Sequence, residues 1–195
     1  MRLILGSQSP RRKEILGFFA YPFVQIPSAF DEDLVVFQGN PSQYAQELSL
    51  KKARELATRF PDDVILTADT VVYFDGKIYN KPKSEMEAFS MLRTLSGNWQ
   101  HVFTAVTVHK QGIFHSGFEE TKILFNPLTD DQIRLYHKSI SFLDKAGGYA
   151  IQQAGSILIS RMDGCYYNVM GLPVNTVKEL LLKAGIDLWR FLKPF

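Results

Sequence analysis

The sequence predicts an α/β fold with a mixed β-sheet, and three observations support this. Residues 3–5 form a short apolar run that leads into a helix start at Pro10. Residues 64–74, VILTADTVVYF, are rich in β-branched side chains and give the strongest strand signal. Residues 100–110 and 113–125 are two long strand-like segments separated by only two residues, which predicts an antiparallel pair. Strands and helices are therefore interspersed around a central antiparallel pair.

The other elements follow from local signals. Ser9 followed by Pro10 is a favourable helix start. Asp75-Gly76 predicts a tight hairpin turn. Two capping boxes, Ser84 with Glu87 and Thr129 with Gln132, mark helix starts. Helices are predicted from residue 10 onward and over residues 41–60, 84–95, 129–137 and 174–184, and further strands over residues 23–28 and 77–79.

Composition bounds the protein class. The 195 residues, 46% hydrophobic, predict a single domain over 1–195 with a substantial core. The net charge of +2 implies neither nucleic acid nor an anionic membrane as partner. The only cysteine, Cys165, excludes an internal disulfide and fits a reducing compartment, and no run approaches the ~20 apolar residues of a membrane span. We therefore expect a cytoplasmic protein.

The first helix carries its charges in an unusual place. Arg11, Arg12 and Lys13 lie in its first turn, where the helix dipole favours acidic residues instead. A bound anion at this end would remove the conflict, because backbone N–H groups, a serine hydroxyl and guanidinium groups could all contact one phosphate or carboxylate. Pairing of the arginines with neighbouring carboxylates is the alternative.

Several polar residues stand out in apolar settings. Asp69 interrupts the apolar strand 64–74, where it could hold a divalent cation or orient a water, or make a structural hydrogen bond. Lys52 falls at the centre of the apolar stripe of the helix over 41–60. Lys81 by itself is typical of a surface lysine, and Glu32 of a solvated acidic loop.

Four segments together carry a family resemblance. They are SQSPRRKEIL at 7–16, ADTVV at 68–72, Lys81-Pro82 with the later SGNWQHVFT, and DKAGGYAIQQAG followed by YYNVMGLP. In this order they resemble the Maf family of nucleoside triphosphate pyrophosphatases over nearly the whole chain. The resemblance implies an elongated mixed β-sheet with flanking helices and two lobes around a central cleft, a fold shared with inosine triphosphate pyrophosphatases.

The resemblance also implies an activity and a site. Such proteins cleave a nucleoside triphosphate between its α- and β-phosphates with a divalent metal, Mg²⁺ or Mn²⁺, usually as homodimers, and the family is linked to arrest of cell division. The implied site comprises Asp69 as the catalytic carboxylate, Glu32 and Asp69 as metal ligands, Ser7, Arg11, Arg12, Lys52 and Lys81 as phosphate-binding or substrate-binding residues, and Arg12, Thr70 and Gln152 as specificity positions.

ADT at 68–70 and KAGGYAIQ at 145–152 resemble the branch that acts on dTTP and UTP. The branch that acts on 7-methyl-GTP typically has glutamine at the position of Thr70. The chain departs from the family pattern at Gln100, where histidine is usual, at Gln153, where glycine is common, and at Cys165, where serine is common. Three alternatives stay open: a nucleotide-sensing or division-inhibiting binding protein without turnover, a pyrophosphatase for a modified nucleotide such as 7-methyl-GTP, and, less favoured, a single-stranded nucleic-acid binder.

Overall fold

The computed structural model describes residues 1–193; Pro194 and Phe195, the end of the aromatic tail LWRFLKPF, lie outside the described residues. A seven-stranded mixed sheet forms its centre. The strands are β1 (Leu3–Leu5), β2 (Phe23–Gln25), β3 (Val64–Phe74), β4 (Lys77–Tyr79), β5 (Trp99–Lys110), β6 (Ile113–Phe125) and β7 (Ile159–Asp163). Six of them follow the order β2-β1-β3-β5-β6-β7, and β4 pairs with β3 outside this order. β1 is parallel to both of its neighbours, whereas each adjacent pair along β3-β5-β6-β7 is antiparallel. The α/β fold with a mixed sheet is confirmed.

Within residues 1–193, six α-helices flank this sheet. They are α1 (Pro10–Leu16), α2 (Pro41–Arg59), α3 (Glu85–Leu95), α4 (Asp130–Ser139), α5 (Tyr166–Met170) and α6 (Val174–Lys183). The predicted strand over 23–28 is too long, since pairing stops at Gln25, just before Pro27. Two five-residue elements, β7 and α5, lie within the glycine-rich stretch 145–171, where we predicted no helix or strand.

The two predicted capping boxes differ in the structure. Thr129 and Gln132 cap each other reciprocally. Ser84 accepts a hydrogen bond from the backbone of Glu87, but the Glu87 carboxylate accepts from the N–H of Lys83 and not from that of Ser84. The prediction of a reciprocal box at α3 is therefore wrong in one half.

The sheet is interrupted along one edge of β3, and this interruption places the site. β5 pairs with one edge of β3 from Ile65 to Tyr73. On the other edge β1 pairs only with 64–66 and β4 only with 72–74, so the residues between them lack a neighbouring strand there. Side chains from both faces of the sheet can therefore reach one opening.

Apolar packing covers both faces of the sheet. On one face α2 packs its Tyr44 and Leu48 against Val71 and Phe103. The larger core lies on the opposite face, where Leu66, Ala68 and Val72 of β3 join residues of α1, α3, α4 and α6. Asp69 projects to the α2 face and Thr70 to the other, as alternation along a strand requires.

The described part of the aromatic tail packs onto its own chain. The rings of Phe191 and Tyr21 meet edge to face at 4.8 Å, and the carbonyl of Phe191 accepts a hydrogen bond from the N–H of Ala20. The described part of the tail is therefore held against the loop that follows α1. Within residues 1–193, no helix combines the length and apolar character needed to cross a membrane.

Candidate active site

A cavity of about 920 Å³ opens at the interruption beside β3. Its walls come from the loop after β1, the start of α1, the middle of α2, the end of β4 and the loop that precedes β7. The cavity brings together all nine residues named by the family resemblance: Ser7, Arg11, Arg12, Glu32, Lys52, Asp69, Thr70, Lys81 and Gln152. Their roles stay predictions.

A lysine lies between two carboxylates on the α2 side of this cavity. Lys52 Nζ is 2.5 Å from Asp69 Oδ1 and 2.8 Å from Glu32 Oε1. Asp69 is only 6% exposed and Lys52 8%, which accounts for a lysine on an apolar stripe: its ammonium group leaves the core to meet two anions. Within residues 1–193 the second oxygen of Asp69 has no hydrogen-bond partner. That oxygen is available to a water or a metal.

Burial and nearby charges shift the pKa values of two side chains in the site. Partial burial raises the pKa of the Glu32 carboxyl, but the nearby charges of Lys52, Lys81 and Arg12 lower it more, so its net pKa is below the ordinary value. Burial lowers the pKa of the Arg12 guanidinium, while the negative charges of Asp69 and Glu32 oppose this shift. Glu32 is therefore ionised at neutral pH and available to a cation.

Arg12 is held by the protein itself. Its Nε donates to the carbonyl of Gly171 at 2.7 Å, and its Nη1 donates to the carbonyl of Ala68 at 2.8 Å and to Ser7 Oγ at 3.2 Å. Its Nη2 donates to Thr70 Oγ1 at 3.0 Å. The Ala68 carbonyl is one that the sheet interruption leaves free on β3, and Arg12 takes the place of the missing strand there.

Ser7 is oriented by the same contacts. Its hydroxyl oxygen accepts from Arg12 Nη1 and from the N–H of Ser9, both at 3.2 Å. With both lone pairs used, its proton is free to be donated. A phosphate oxygen in the cavity is a suitable acceptor.

Arg11 and Lys81, the remaining cations of the predicted site, differ in whether a carboxylate already pairs with them. Arg11 forms an ion pair of 3.2 Å with Asp144, a carboxylate that the sequence did not single out and that lies 133 residues away. Lys145 also contacts Asp144, at 2.6 Å. Lys81 is exposed at the cavity and forms no ion pair with any residue in the range 1–193.

The loop that carries Gln152 is anchored from beneath. The hydroxyl of Tyr136 on α4 donates to the carbonyl of Ala150 at 3.1 Å and accepts from its N–H at 2.9 Å. Gln153 adopts φ +52°, a left-handed conformation. Glycine adopts this conformation without strain, which gives a physical reason for the glycine that is common in the family at this position.

Two hard oxygen ligands could hold a divalent metal here. Across residues 1–193 no group of three or more histidine, cysteine, aspartate or glutamate side chains is arranged to bind a metal. Glu32 and Asp69 nevertheless lie close together, on either side of the Lys52 ammonium group, and Lys52 leaves the second oxygen of Asp69 unused. Mg²⁺ commonly binds through one or two carboxylates plus substrate phosphates and waters, so the residues fit this mode of binding.

Comparison with known proteins identifies one family. Residues 2–184 match the family model described as Maf, Maf-like protein. A protein of Chlamydia caviae named dTTP/UTP pyrophosphatase is 46% identical over 98% of both chains. A protein of Chlamydia pneumoniae named nucleoside triphosphate pyrophosphatase is 41% identical over 97% of both chains.

One solved structure agrees on the fold. The Staphylococcus aureus Ham1 protein superposes with a TM-score of 0.53 at 12% identity, over 94% of this chain and all of that one. At this identity the likeness concerns the fold alone. With a family match over residues 2–184 and relatives aligned along nearly their full length, the chain belongs to the Maf family.

Proposed function

We propose that this protein is a nucleoside triphosphate pyrophosphatase that hydrolyses dTTP and UTP to the monophosphate and pyrophosphate. The observation that carries the proposal is Asp69: a nearly buried carboxylate fixed by Lys52, with its second oxygen free, in a cavity that also holds Arg11 and Lys81. The name of the Chlamydia caviae relative supports the choice of nucleotides.

The geometry supports a division of roles. The anhydride bond between the α- and β-phosphates breaks when a water adds to the α-phosphorus and pyrophosphate leaves. Asp69 orients this water and takes its proton, while Lys52 keeps the carboxylate in position. Arg11, Lys81 and the hydroxyl of Ser7 offset the charge on the phosphate oxygens, a contribution that positioned cations make in phosphoryl transfer.

We propose that Glu32 and Asp69 hold a divalent cation, Mg²⁺ or Mn²⁺, when the nucleotide is bound. When bound, this ion supplies neutralisation of phosphate charge and activation of water. We further propose that the chain acts as one domain over 1–195, as a cytoplasmic homodimer. Size-exclusion chromatography with light scattering tests the homodimer directly.

The first experiment is product analysis with the purified protein and Mg²⁺ or Mn²⁺. The panel contains dTTP, UTP, CTP, the purine triphosphates and 7-methyl-GTP. We expect monophosphate and pyrophosphate in equal amounts from dTTP and UTP, and loss of turnover with a metal chelator. Preferred turnover of 7-methyl-GTP would keep the chemistry and change the substrate.

Two variants connect the activity to the site. Asp69→Asn keeps the shape of the side chain but removes its charge, and we expect turnover to be lost while the protein stays folded. Asp75→Asn, at the exposed hairpin turn that follows the same strand, is the matched control and should keep full activity. Nucleotide binding without turnover by the unaltered, metal-loaded protein would favour the nucleotide-sensing alternative.

A further inference from the structure

A chain of hydrogen bonds runs from the cavity into the core through two residues that the sequence did not single out. Thr70 Oγ1 and Thr104 Oγ1 are 2.9 Å apart, and Thr104 Oγ1 donates to the backbone carbonyl of Asn168 at 2.7 Å. Thr104 and Asn168 are fully buried, and neither is among the described residues that line the cavity. On the cavity side the chain ends at Arg12, which donates to Thr70.

The direction of each bond in this chain is fixed by chemistry. A backbone carbonyl can only accept, so Thr104 must use its single hydroxyl proton on Asn168. Thr104 then has only lone pairs for Thr70, and Thr70 must use its own proton on Thr104. Arg12 can only donate, so it takes one lone pair of Thr70. The hydroxyl of Thr70 therefore faces the cavity with one lone pair and without a proton.

The carbonyl at the buried end is itself held in place. The side chain of Asn168 donates from Nδ2 to the carbonyl of Val102 and to Thr121 Oγ1, each at 2.9 Å. Thr121 in turn exchanges hydrogen bonds with the backbone of Cys165. The backbone carbonyl of Asn168, which accepts from Thr104, is therefore fixed in position.

Gly171 allows the cavity end of the chain to be compact. It adopts φ +103°, and a Cβ added there would lie 3.2 Å from Thr70 Oγ1 and 3.3 Å from Arg12 Nε. Its carbonyl accepts from Arg12 Nε. Four of the five N–H groups of Arg12 are used by Gly171, Ala68, Ser7 and Thr70. Arg12 is therefore a fixed part of this arrangement.

We propose that Thr104 is a positioning residue that makes Thr70 an acceptor-only group and thereby favours bases with an N–H at N3. Uracil and thymine carry a donor at N3, whereas cytosine has an acceptor there. A lone pair of Thr70 attracts the N3–H of uracil or thymine and repels the N3 lone pair of cytosine. This inference rests on the proposed function, because it concerns base choice in the same cavity.

The test is the ratio of kcat/KM for UTP to kcat/KM for CTP. Thr104→Val keeps the shape of the side chain but frees the proton of Thr70 to turn toward a ligand. We expect the ratio to fall by about fivefold, the effect of one hydrogen bond. Thr104→Ser keeps a hydroxyl and should keep the ratio of the unaltered protein. Thr104→Ala removes the hydroxyl and should lower the ratio as Thr104→Val does.

Thr107→Val is the matched control on the same strand. Thr107 is also fully buried and its hydroxyl is also hydrogen-bonded, to Ser49 and Ser116 on the α2 face, away from Arg12. Its replacement should lower stability to a similar degree and leave the ratio unchanged. Urea unfolding of both variants establishes that comparison.

The outcomes separate this inference from the proposed function. If the unaltered protein hydrolyses no pyrimidine triphosphate, the proposed function fails and takes the inference with it. If it hydrolyses UTP but does not prefer UTP over CTP, only the inference fails. An unchanged ratio in Thr104→Val or Thr104→Ala, or an equal fall in Thr107→Val, also overturns the inference alone.

Discussion

Lys52 and Asp69 form a hydrogen-bonded ion pair of 2.5 Å with both side chains almost completely removed from solvent. Neither charge has enough water around it to be solvated alone, so each depends on the other. Glu32, which is half-exposed, adds a second anion at 2.8 Å from the same ammonium group. The arrangement connects the stability of the fold to the site, because the same lysine serves both.

Lys52→Met should therefore destabilise the protein strongly. It leaves the buried Asp69 without its cation, and removal of one partner from a buried pair costs about 3 kcal/mol or more in the free energy of unfolding. Lys51→Met is the control, since the exposed Lys51 has only a weak pair of 3.8 Å with Glu47, worth at most about 1 kcal/mol. Urea unfolding measures both, and equal losses would contradict the structural role of Lys52.

Glu32→Gln should change how stability depends on pH. The pKa of Glu32 is lowered in the folded protein from its ordinary value of 4.5, so its ionised form stabilises the fold above that value. This contribution is lost as the pH falls through the lowered pKa. We expect the difference in free energy of unfolding between the two proteins to shrink on acidification below about pH 4.5. A difference that does not vary with pH would argue against the linkage.

Asp144→Asn should strengthen binding of the triphosphate. Asp144 neutralises Arg11 at 3.2 Å and Lys145 at 2.6 Å, so it competes with phosphate for both cations. A partly exposed ion pair contributes up to about 1 kcal/mol, so KM should fall by about two- to fivefold with kcat little changed. Asp131→Asn, which breaks an exposed pair with Arg134 on α4, is the control and should leave KM unchanged. A rise in KM would contradict the competition.

Tyr136→Phe should loosen the loop that carries Gln152. It leaves the carbonyl and the N–H of Ala150 without their partner, which costs about 1–3 kcal/mol when such groups are buried. Hydrogen exchange at the Ala150 amide should become faster. Tyr166→Phe, at an exposed tyrosine, is the control.

Tyr136 also gives a prediction at alkaline pH. Burial raises its pKa from 10.0 to about 12, so the unfolded chain ionises first. The contribution of Tyr136 to stability is thus complete below pH 10 and is lost as the pH rises toward about 12. Tyr136→Phe should lose less stability over this range than the unaltered protein, and parallel losses would contradict the burial of the hydroxyl.

The sequence by itself determined the long, regular elements. β-Branched residues marked β3, and the two-residue turn joined β5 to β6, because these signals are local to the segments that carry them. β7 and α5 escaped detection, and β7 depends on pairing with β6, a partner that is not local to its own five residues. The candidate site residues came from the family resemblance together with single residues in unsuitable settings, such as Lys52 on an apolar stripe.

Only the tertiary structure decided how these residues meet. Arg12 bonds to Gly171, 159 residues away, and Arg11 to Asp144, 133 residues away, and no local pattern encodes either partner. The interruption beside β3 arises from where β1 and β4 stop pairing, a property of three strands together. Burial then gave Thr104 and Asn168 their importance, because water cannot replace either partner of their hydrogen bond.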